Sequence, residues 1–152
     1  MAGIRTQPLF TITLQVGEIQ PLGKTPLGQR VVAAVGGGTF EGERLRGTVA
    51  AGGSDWILGR PDGALQLNVR LVLRTDDGAL IGMTYQGFRH GPAAVIERLN
   101  RGEPVDPSEY YFRTAPLFET SAPKYDWLNR IVAIATGDRK PEGPIYEVFE
   151  VL

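Results

Sequence analysis

The sequence predicts an all-β protein that folds as a single closed antiparallel β-barrel of about eight or nine strands with one short helix. Apolar residues alternate with other residues in many short runs, and 20 glycines and 11 prolines separate these runs. Two Asp-Gly pairs, at 62–63 and 77–78, stand where the chain needs to reverse. Gly and Asp tolerate the positive φ of tight hairpin turns. A closed barrel is favoured over an open sheet because closure removes exposed strand edges.

The clearest hairpin is predicted over residues 63–87, with its reversal at 76–78. On one face of its first strand, the residues are apolar: Leu65, Leu67, Val69, Leu71 and Leu73. The other face of the same strand carries mostly polar residues: Gln66, Asn68, Arg70, Val72 and Arg74. Side chains two positions apart share a face of a strand. The alternation therefore predicts the strand but leaves open which face points into the barrel.

Similar patterns predict the remaining strands. Before the hairpin they cover 8–19, 29–35, 45–51 and 54–58, and after it they cover 109–120, 131–135 and 145–152. The strand at 29–35 is expected to end at three successive glycines, 36–38. No Lys followed by Ser or Thr comes after these glycines, so a phosphate-binding loop is not indicated. A bulge, a bend or a close backbone approach is the more frequent role of Gly in a β-protein.

The predicted helix follows Pro92, a residue that suits the first helical turn. It covers residues 93–101 and is closed by Gly102. Val95, Ile96 and Leu99 form a narrow apolar stripe on this helix. The stripe indicates a lid over one barrel end or a brace.

Length and charge restrict the class of protein. The 152 residues suit one compact domain spanning 1–152. The 16 Lys and Arg residues against 17 Asp and Glu residues give a net charge of -1, whereas a nucleic-acid binder is expected to carry a basic surface. No run approaches the roughly 20 apolar residues of a membrane span, and the first residues lack a signal-peptide core. We therefore expect a cytoplasmic protein without a nucleic-acid or membrane partner.

Metal and cofactor chemistry is not indicated by the sequence. The chain has no cysteine and one histidine, His90, which argues against disulfides, thiol nucleophiles and multi-histidine zinc sites. The acidic turn at 76–78 lacks the further ligands of a calcium loop. Ser54 lies in the segment GGSDW, which lacks the final glycine of a nucleophile elbow. We expect no metal and no cofactor.

Charged and aromatic residues near the predicted strand ends supply a candidate site for a small-molecule ligand. The catalytic candidates are Asp55, Tyr111 and Arg113, and the ligand-binding candidates are Glu41, Trp56, Arg70, Tyr85, Trp127 and Asn129. Side chains of these types can give a pocket apolar walls with a few directing polar groups.

Asp55 is the best acid or base candidate because it stands beside Trp56. A carboxyl group that is partly desolvated against an indole ring has a raised pKa, which suits proton transfer near neutral pH. The alternative is purely structural, with Asp55 capping a turn and Trp56 in the core.

The roles of the arginine and tyrosine candidates depend on which strand face points inward. Arg70 and Arg113 interrupt strand-like faces, and a guanidinium group can clamp an anion or a carbonyl group. They are equally compatible with the solvent-facing side of a barrel. Tyr85 and Tyr111 can donate hydrogen bonds to a bound carbonyl group or pack at the rim.

Six short segments resemble domain-of-unknown-function family 3237, a group of small bacterial and fungal proteins. They occur in family order at 37–42 (GGTFEG), 52–56 (GGSDW), 75–81 (TDDGALI), 110–114 (YYFRT), 118–120 (FET) and 127–129 (WLN). The resemblance implies a single β-barrel domain similar to the allene oxide cyclase and dirigent barrels. It also implies cofactor-free cyclisation, isomerisation or elimination on a small apolar or phenolic molecule. Tyr85 stands where the family pattern leads us to expect a smaller polar residue.

Three hypotheses about function follow. In the first, the protein is a cofactor-independent isomerase, cyclase or lyase in which Asp55 moves a proton while Tyr85, Tyr111 and Arg113 orient a substrate oxygen. In the second, it is a noncatalytic carrier or sensor for the same kind of ligand. In the third, it is a structural oligomerisation module with a filled barrel. Apolar residues on both faces of some strands also predict self-association as a homodimer.

Overall fold

The structure, a computed structural model, describes residues 3–152. In this range it contains nine β-strands: β1 (Thr6–Thr25), β2 (Gly28–Glu41), β3 (Arg46–Val49), β4 (Gly53–Gly59), β5 (Leu65–Thr75), β6 (Leu80–His90), β7 (Tyr111–Glu119), β8 (Ala133–Lys140) and β9 (Gly143–Val151). The helical segments are α1 (Ala93–Asn100) and two 3₁₀ helices, Pro107–Glu109 and Pro123–Arg130. Among residues 3–152, no helix has the length and apolar character needed to span a membrane.

The strands pair antiparallel in a closed ring. Following the pairings, β1 is joined to β9, β8, β7, β6 and β5 in turn, and β2 pairs back with β1. Both β3 and β4 lie between β2 and β5: β3 pairs with one half of each, and β4 pairs with the other half. The nine strands therefore occupy eight positions around the ring. The predicted all-β barrel with one short α-helix is confirmed.

The predicted hairpin over residues 63–87 is confirmed. Strands β5 and β6 pair up to Arg74 and Leu80, and Gly78 takes a positive φ of 89° in the turn. The structure also decides which face of β5 points inward. The side chains buried in the core are Leu67, Val69, Leu71 and Leu73. Val72, between two of them, is 44% exposed on the outer face.

The first two strands are longer than the sequence pattern predicted. The three glycines at 36–38 do not end β2, which continues to Glu41. They lie where β2 crosses β1 closely: a Cβ atom on Gly38 would be 2.1 Å from the carbonyl oxygen of Thr13. The register between the two strands also shifts next to Val16, as bulges allow a long strand to bend. The predicted close backbone approach is confirmed, and the predicted strand end is wrong.

One end of the barrel is closed by the 3₁₀ helix Pro123–Arg130, which we call the plug segment. The side chains of Tyr125 and Leu128 in this segment are buried in the core. The Tyr125 hydroxyl donates to the carboxylate of Asp77 at 3.0 Å, and the Lys124 ammonium lies 2.9 Å from the same carboxylate. The plug segment is therefore tied to the turn between β5 and β6.

Helix α1 is a brace and not a lid. Leu99 is buried with the core, and Val95 and Ile96 pack against it. A cavity at the barrel end opposite the plug segment is lined by residues of the strands, and none of its lining residues belongs to α1. The predicted apolar stripe is thus used for packing.

Aromatic side chains fill the interior in two groups. Near the plug segment, the Phe10 ring lies 5.4 Å from that of Phe40 and 5.9 Å from that of Phe118. Towards the other end, the Tyr146 ring meets Tyr85 at 5.2 Å and Phe112 at 5.3 Å, both edge-on. Offset and edge-to-face contacts of this kind are favourable.

The position of the Phe112 ring depends on Gly137. A Cβ atom on Gly137 would be 2.6 Å from Cγ of Phe112, a distance that van der Waals repulsion forbids. Strand β8 therefore needs a residue without a side chain here, so that Phe112 can lie against Tyr146.

Replacing Gly137 with alanine should destabilise the protein, because the added methyl group overpacks the core against Phe112. We expect a loss of about 1–3 kcal/mol in the free energy of unfolding, measured by urea denaturation. Gly36→Ala is the matched control, since a Cβ atom there meets nothing closer than 3.8 Å. Equal stability of the Gly137→Ala variant and the wild type would contradict the packing argument.

Candidate functional site

A cavity of about 120 Å³ opens at the end of the barrel away from the plug segment. Its walls are largely apolar: Leu14, Val16, Ile19, Ala33, Val35, Ile57, Leu65, Leu67, Val69, Phe112 and Pro144. Its polar lining residues are Asp55, Tyr85, Arg89, Arg139 and Tyr146. An apolar cavity with a few convergent polar groups is the usual form of a small-molecule site.

Several larger depressions lie on the outside of the barrel, and the two with the greatest volumes include sequence-predicted candidates. One, of about 530 Å³, runs along β1 and β9 and includes Glu41 and Arg44. The other, of about 590 Å³, includes Phe88, Tyr111 and Arg113. Both are open to solvent, where charges are screened. The smaller interior cavity is the stronger candidate because four of its polar lining residues are desolvated: Asp55, Tyr85, Arg89 and Tyr146.

Cross-strand register brings Asp55 and Tyr85 to the same part of the interior. Asp55 in β4 is opposite Val69 in β5, and Val69 is opposite Tyr85 in β6. Residues that are directly opposite on neighbouring strands project to the same face of a sheet. Tyr146 reaches the same place from β9, on the other side of the barrel.

The carboxyl group of Asp55 has a raised pKa. Burial raises the pKa of Asp55 from 3.8 to about 6, opposed by a hydrogen bond from a backbone N–H and by the positive charge of Arg89. In that hydrogen bond, the amide of Asn68 donates to Oδ1 of Asp55 at 3.2 Å. A carboxyl group with this pKa exchanges protons readily near neutral pH.

Tyr85 and Tyr146 are hydroxyl donors beside this carboxyl group. Burial is the main cause that raises the pKa of both phenols, and the negative charge of Asp55 raises both further. The two rings are in contact, with centroids 5.2 Å apart, and the electrostatic influence of Tyr146 adds to the raised pKa of Tyr85. Both therefore stay protonated at neutral pH and can donate a hydrogen bond to an oxygen in the cavity.

Two guanidinium groups complete the polar lining. Burial lowers the pKa of Arg89, and the positive charge of Arg139 lowers it further, although an arginine remains charged in proteins. The Nε atom of Arg89 is buried and has no hydrogen-bond partner within residues 3–152. The Arg139 guanidinium donates to the carbonyl of Lys140, and its backbone N–H donates to the Tyr110 hydroxyl at 2.8 Å.

The part of the chain that the structure describes contains no group of three or more His, Cys, Asp or Glu side chains arranged to hold a metal ion.

The residues 4–151 match the family model described as "Protein of unknown function (DUF3237)". The chain belongs to this family. The resemblance of the six sequence segments is thereby confirmed.

Relatives of known structure share the barrel. A UPF0311 protein of Rhodopseudomonas palustris is 36% identical over 149 residues, which cover 98% of this chain and 97% of that protein. A crystal structure of a conserved protein of unknown function from R. palustris superposes with a TM-score of 0.95 at 35% identity, covering 100% of both chains. A beta-barrel like protein from Acinetobacter baumannii gives a TM-score of 0.87 at 36% identity, covering 100% of this chain and 98% of that one.

A more distant structure shares the fold alone. It is described as an enzyme from Penicillium herquei, with 23% identity and a TM-score of 0.76 over 100% of this DUF3237 chain and 97% of that chain.

Of the sequence-predicted site residues, Asp55 and Tyr85 line the interior cavity, and several others face outward. Trp56, next to Asp55 in β4, is 49% exposed. Successive side chains of a strand point to opposite faces, so the barrel interior and not the indole desolvates Asp55. Since Asp55 lies within a strand and Trp56 is exposed, the turn-cap and core-indole alternative does not describe the structure.

Tyr111 and Arg113 lie on the outer face of β7, away from Asp55. Tyr111 is 47% exposed and stacks on His90 at a ring distance of 4.9 Å, and the Arg113 guanidinium lies 5.6 Å from the Tyr111 ring centre. Arg70 likewise alternates with buried residues of β5 and is exposed. The structure does not bring these three side chains into the cavity.

The last three candidates lie outside the interior cavity as well. Trp127 of the plug segment is covered by the Arg44 guanidinium at 4.2 Å. Asn129 accepts from the backbone N–H of Thr120 at 2.8 Å and donates to its carbonyl at 2.9 Å, which holds the end of β7. Glu41 is exposed and borders the outer depression along β1.

Sequence reasoning missed Arg89, Arg139 and Tyr146. A signal for them exists in strand periodicity. Arg89 is two and four positions after the buried Gly87 and Tyr85, and Arg139 is two and four positions after the buried Gly137 and Ala135. A charged residue that shares the face of buried neighbours is a candidate for the interior.

The raised pKa of Asp55 predicts that the stability of the folded protein depends on pH. Because the pKa of Asp55 is about 6 in the folded protein and near 3.8 when unfolded, the folded state loses stability as pH rises from about 4 to about 6. Asp55→Asn removes this loss and keeps an acceptor for Asn68. The variant should therefore become more stable than the wild type as pH rises through this window, with a difference of at most about 3 kcal/mol at pH values above the window. Denaturation at several pH values measures this difference.

The control for this experiment is Asp62→Asn. The backbone N–H of Ala64 and the side chain of Arg60 lower the pKa of Asp62, so this variant has no such gain. A stability difference between Asp55→Asn and the wild type that does not change between pH 4 and pH 7 would contradict the burial of the carboxyl group.

Proposed function

We propose that this DUF3237 protein binds a small aromatic or carbonyl-bearing molecule in the interior cavity and acts as a cofactor-independent isomerase, cyclase or lyase, with Asp55 moving a proton. The observation that supports this most is the desolvated Asp55 carboxyl group, with its pKa near 6, inside an apolar cavity. Perturbed pKa values cluster at catalytic sites because a general base works best near the ambient pH.

The proposed reaction begins at a carbon atom next to a carbonyl group. The Asp55 carboxylate takes a proton from this carbon, and the electron pair of the broken C–H bond moves towards the carbonyl oxygen. The hydroxyls of Tyr85 and Tyr146 donate hydrogen bonds to that oxygen as its negative charge develops. Return of the proton to another carbon completes an isomerisation. Loss of a leaving group, or ring closure by the enolate, gives elimination or cyclisation.

The roles assigned to the tyrosines follow from their protonation. Since burial raises the pKa of Tyr85 and of Tyr146, each keeps the proton that it donates to the oxygen. In this proposal Tyr146 takes the orienting role that the sequence suggested for Tyr111 and Arg113. The description of the Penicillium herquei structure as an enzyme supports catalysis on this fold by analogy only.

Proton transfer at carbon can be tested before the natural substrate is known. The protein is incubated in D₂O with a set of small aromatic ketones and a metabolite extract, and deuterium incorporation is followed by mass spectrometry. We expect enzyme-dependent incorporation into at least one compound, with a rate that rises as pH passes about 6, where Asp55 ionises. Asp55→Asn should lower the rate by about a hundredfold or more, the usual scale for a general base.

Asp62→Asn, which removes an exposed carboxylate from a turn, is the matched control and should keep the wild-type rate. Unchanged incorporation in Asp55→Asn would rule out its catalytic role. Ligand binding without any incorporation would favour the carrier or sensor hypothesis, and the absence of both binding and incorporation would favour a structural module.

The proposal also includes a homodimer and a cytoplasmic location. Apolar side chains on the outer faces of β5 to β8 support association: Val72, Phe88, Tyr111, Leu117 and Ile134 are all exposed. Exposed apolar surface of this extent often marks an interface.

Light scattering should give a mass about twice the 16.5 kDa of one chain. Ile134→Lys, which places a charge on the outer face of β8, should lower that mass towards a single chain. A wild-type mass of 16.5 kDa at high concentration would reject the dimer.

A further inference from the structure

We propose that Arg89 and Arg139 form an anion site in the cavity that selects a small carboxylate with an apolar body. This inference rests on the proposed function, since it names the class of ligand for the same cavity. It assigns to the ligand a negatively charged group in addition to the reacting carbonyl group.

The two arginines converge from the strands on either side of β7. Arg89 in β6 is directly opposite Phe112 in β7, and its guanidinium lies 5.9 Å from the Phe112 ring centre. Gly137 in β8 contacts the other side of Phe112, and Arg139 follows on the same face of that strand. Arg89 and Arg139 therefore approach the cavity from the two strands that flank Phe112, and both line it.

The charges of the lining residues do not balance. Asp55 is the one acidic residue among the residues that line the cavity, against the two arginines. The lining therefore carries a net charge of about +1 when Asp55 is ionised and about +2 when it is protonated. The nearby Asp138 does not line the cavity, and its carboxylate pairs with Lys140 at 3.2 Å. A bound monoanion would offset this excess of positive charge in the cavity lining.

Arg89 also lacks a hydrogen-bond acceptor. Its buried Nε atom has no partner in residues 3–152, and a buried donor without a partner costs free energy. A second positive charge, that of Arg139, lies close enough to disfavour the charged form of Arg89. A carboxylate would supply two acceptor oxygens that match the planar guanidinium fork, and it would relieve the repulsion between the arginines.

The size and the walls of the cavity restrict the rest of the ligand. Its volume of about 120 Å³ is well below the roughly 300–1,000 Å³ of pockets for drug-sized molecules. Leu65, Val35 and Ile57 line it with apolar surface, and the half-exposed Ile19 stands at its edge. A single ring with one carboxylate suits these dimensions.

The test compares benzoate with benzamide, which has the same shape and no charge. Both are titrated into the ¹⁵N-labelled protein, and binding is followed by amide chemical shifts. We expect benzoate to shift the residues of the open barrel end and to bind at least tenfold more tightly than benzamide. NMR is the suitable readout because Trp56 is on the outer face and Trp127 is in the plug segment, so indole fluorescence does not report on the cavity.

Three variants test whether the discrimination depends on Arg89. Arg89→Gln should weaken benzoate binding at least tenfold and leave benzamide binding unchanged. Arg89→Lys keeps the charge without the fork and should give an intermediate loss, which provides a second readout if the glutamine variant does not fold. Arg74→Gln removes an exposed arginine from the outer face of β5 and should bind benzoate as the wild type does.

Equal affinity for benzoate and benzamide, no binding of either, or unchanged benzoate binding in the Arg89 variants would overturn the anion site. A loss of equal size in Arg74→Gln would also overturn it, because the effect would then be general electrostatics. The result is separable from the proposed catalysis. Benzoate discrimination together with full deuterium incorporation in Asp55→Asn would keep the anion site and reject the role of Asp55. Equal binding of benzoate and benzamide together with reduced incorporation in Asp55→Asn would reject the anion site and keep the role of Asp55.

Discussion

Pairing of β1 with β2 closes the sheet into a ring, and the rest of the structure depends on this closure. In a closed ring each strand has a neighbour on both sides, with one face in a limited interior and one face outside. The closure requires two long strands that bend, which the register shifts near Val16 and the absent side chain at Gly38 permit. The environment of a side chain is then set by its position along the alternation.

The interior is filled differently at its two ends. Phe10, Phe40 and Phe118 pack near the plug segment, whose tyrosine hydroxyl is anchored on Asp77. At the other end the aromatic packing stops at Tyr85 and Tyr146, and charged side chains take over. The strands that form the core also desolvate Asp55 and Arg89. Burial is therefore the common cause of the altered proton affinities of Asp55, Arg89 and both tyrosines.

The outcome for individual residues shows why a site of this kind is only partly readable from sequence. The sequence indicates Asp55 as a candidate because Trp56 is its neighbour, whereas strand β4 places Trp56 on the opposite face. The YYFRT segment supplies Tyr111 and Arg113 as sequence candidates, whereas in the structure both face outward and Phe112, between them, lines the cavity. Arg89 is not among the residues that the sequence singles out; an arginine near a strand end is ordinarily solvated. Alternation places Arg89 on the same face of β6 as Tyr85 and Gly87, and the closed barrel decides that this face points inward.

The sequence by itself determined the features that depend on neighbouring residues: the Asp-Gly turns, most of the strands, helix α1 and membership of the DUF3237 family. Turn and strand preferences arise from backbone conformation and side-chain alternation within a few residues, so they can be read locally. Only the tertiary structure decided which face of each strand points inward, and that Asp55, Arg89, Arg139 and Tyr146 share one cavity. These residues are up to 91 positions apart in the chain. Their meeting depends on the register of strands around the closed ring, and strand alternation alone does not specify that register.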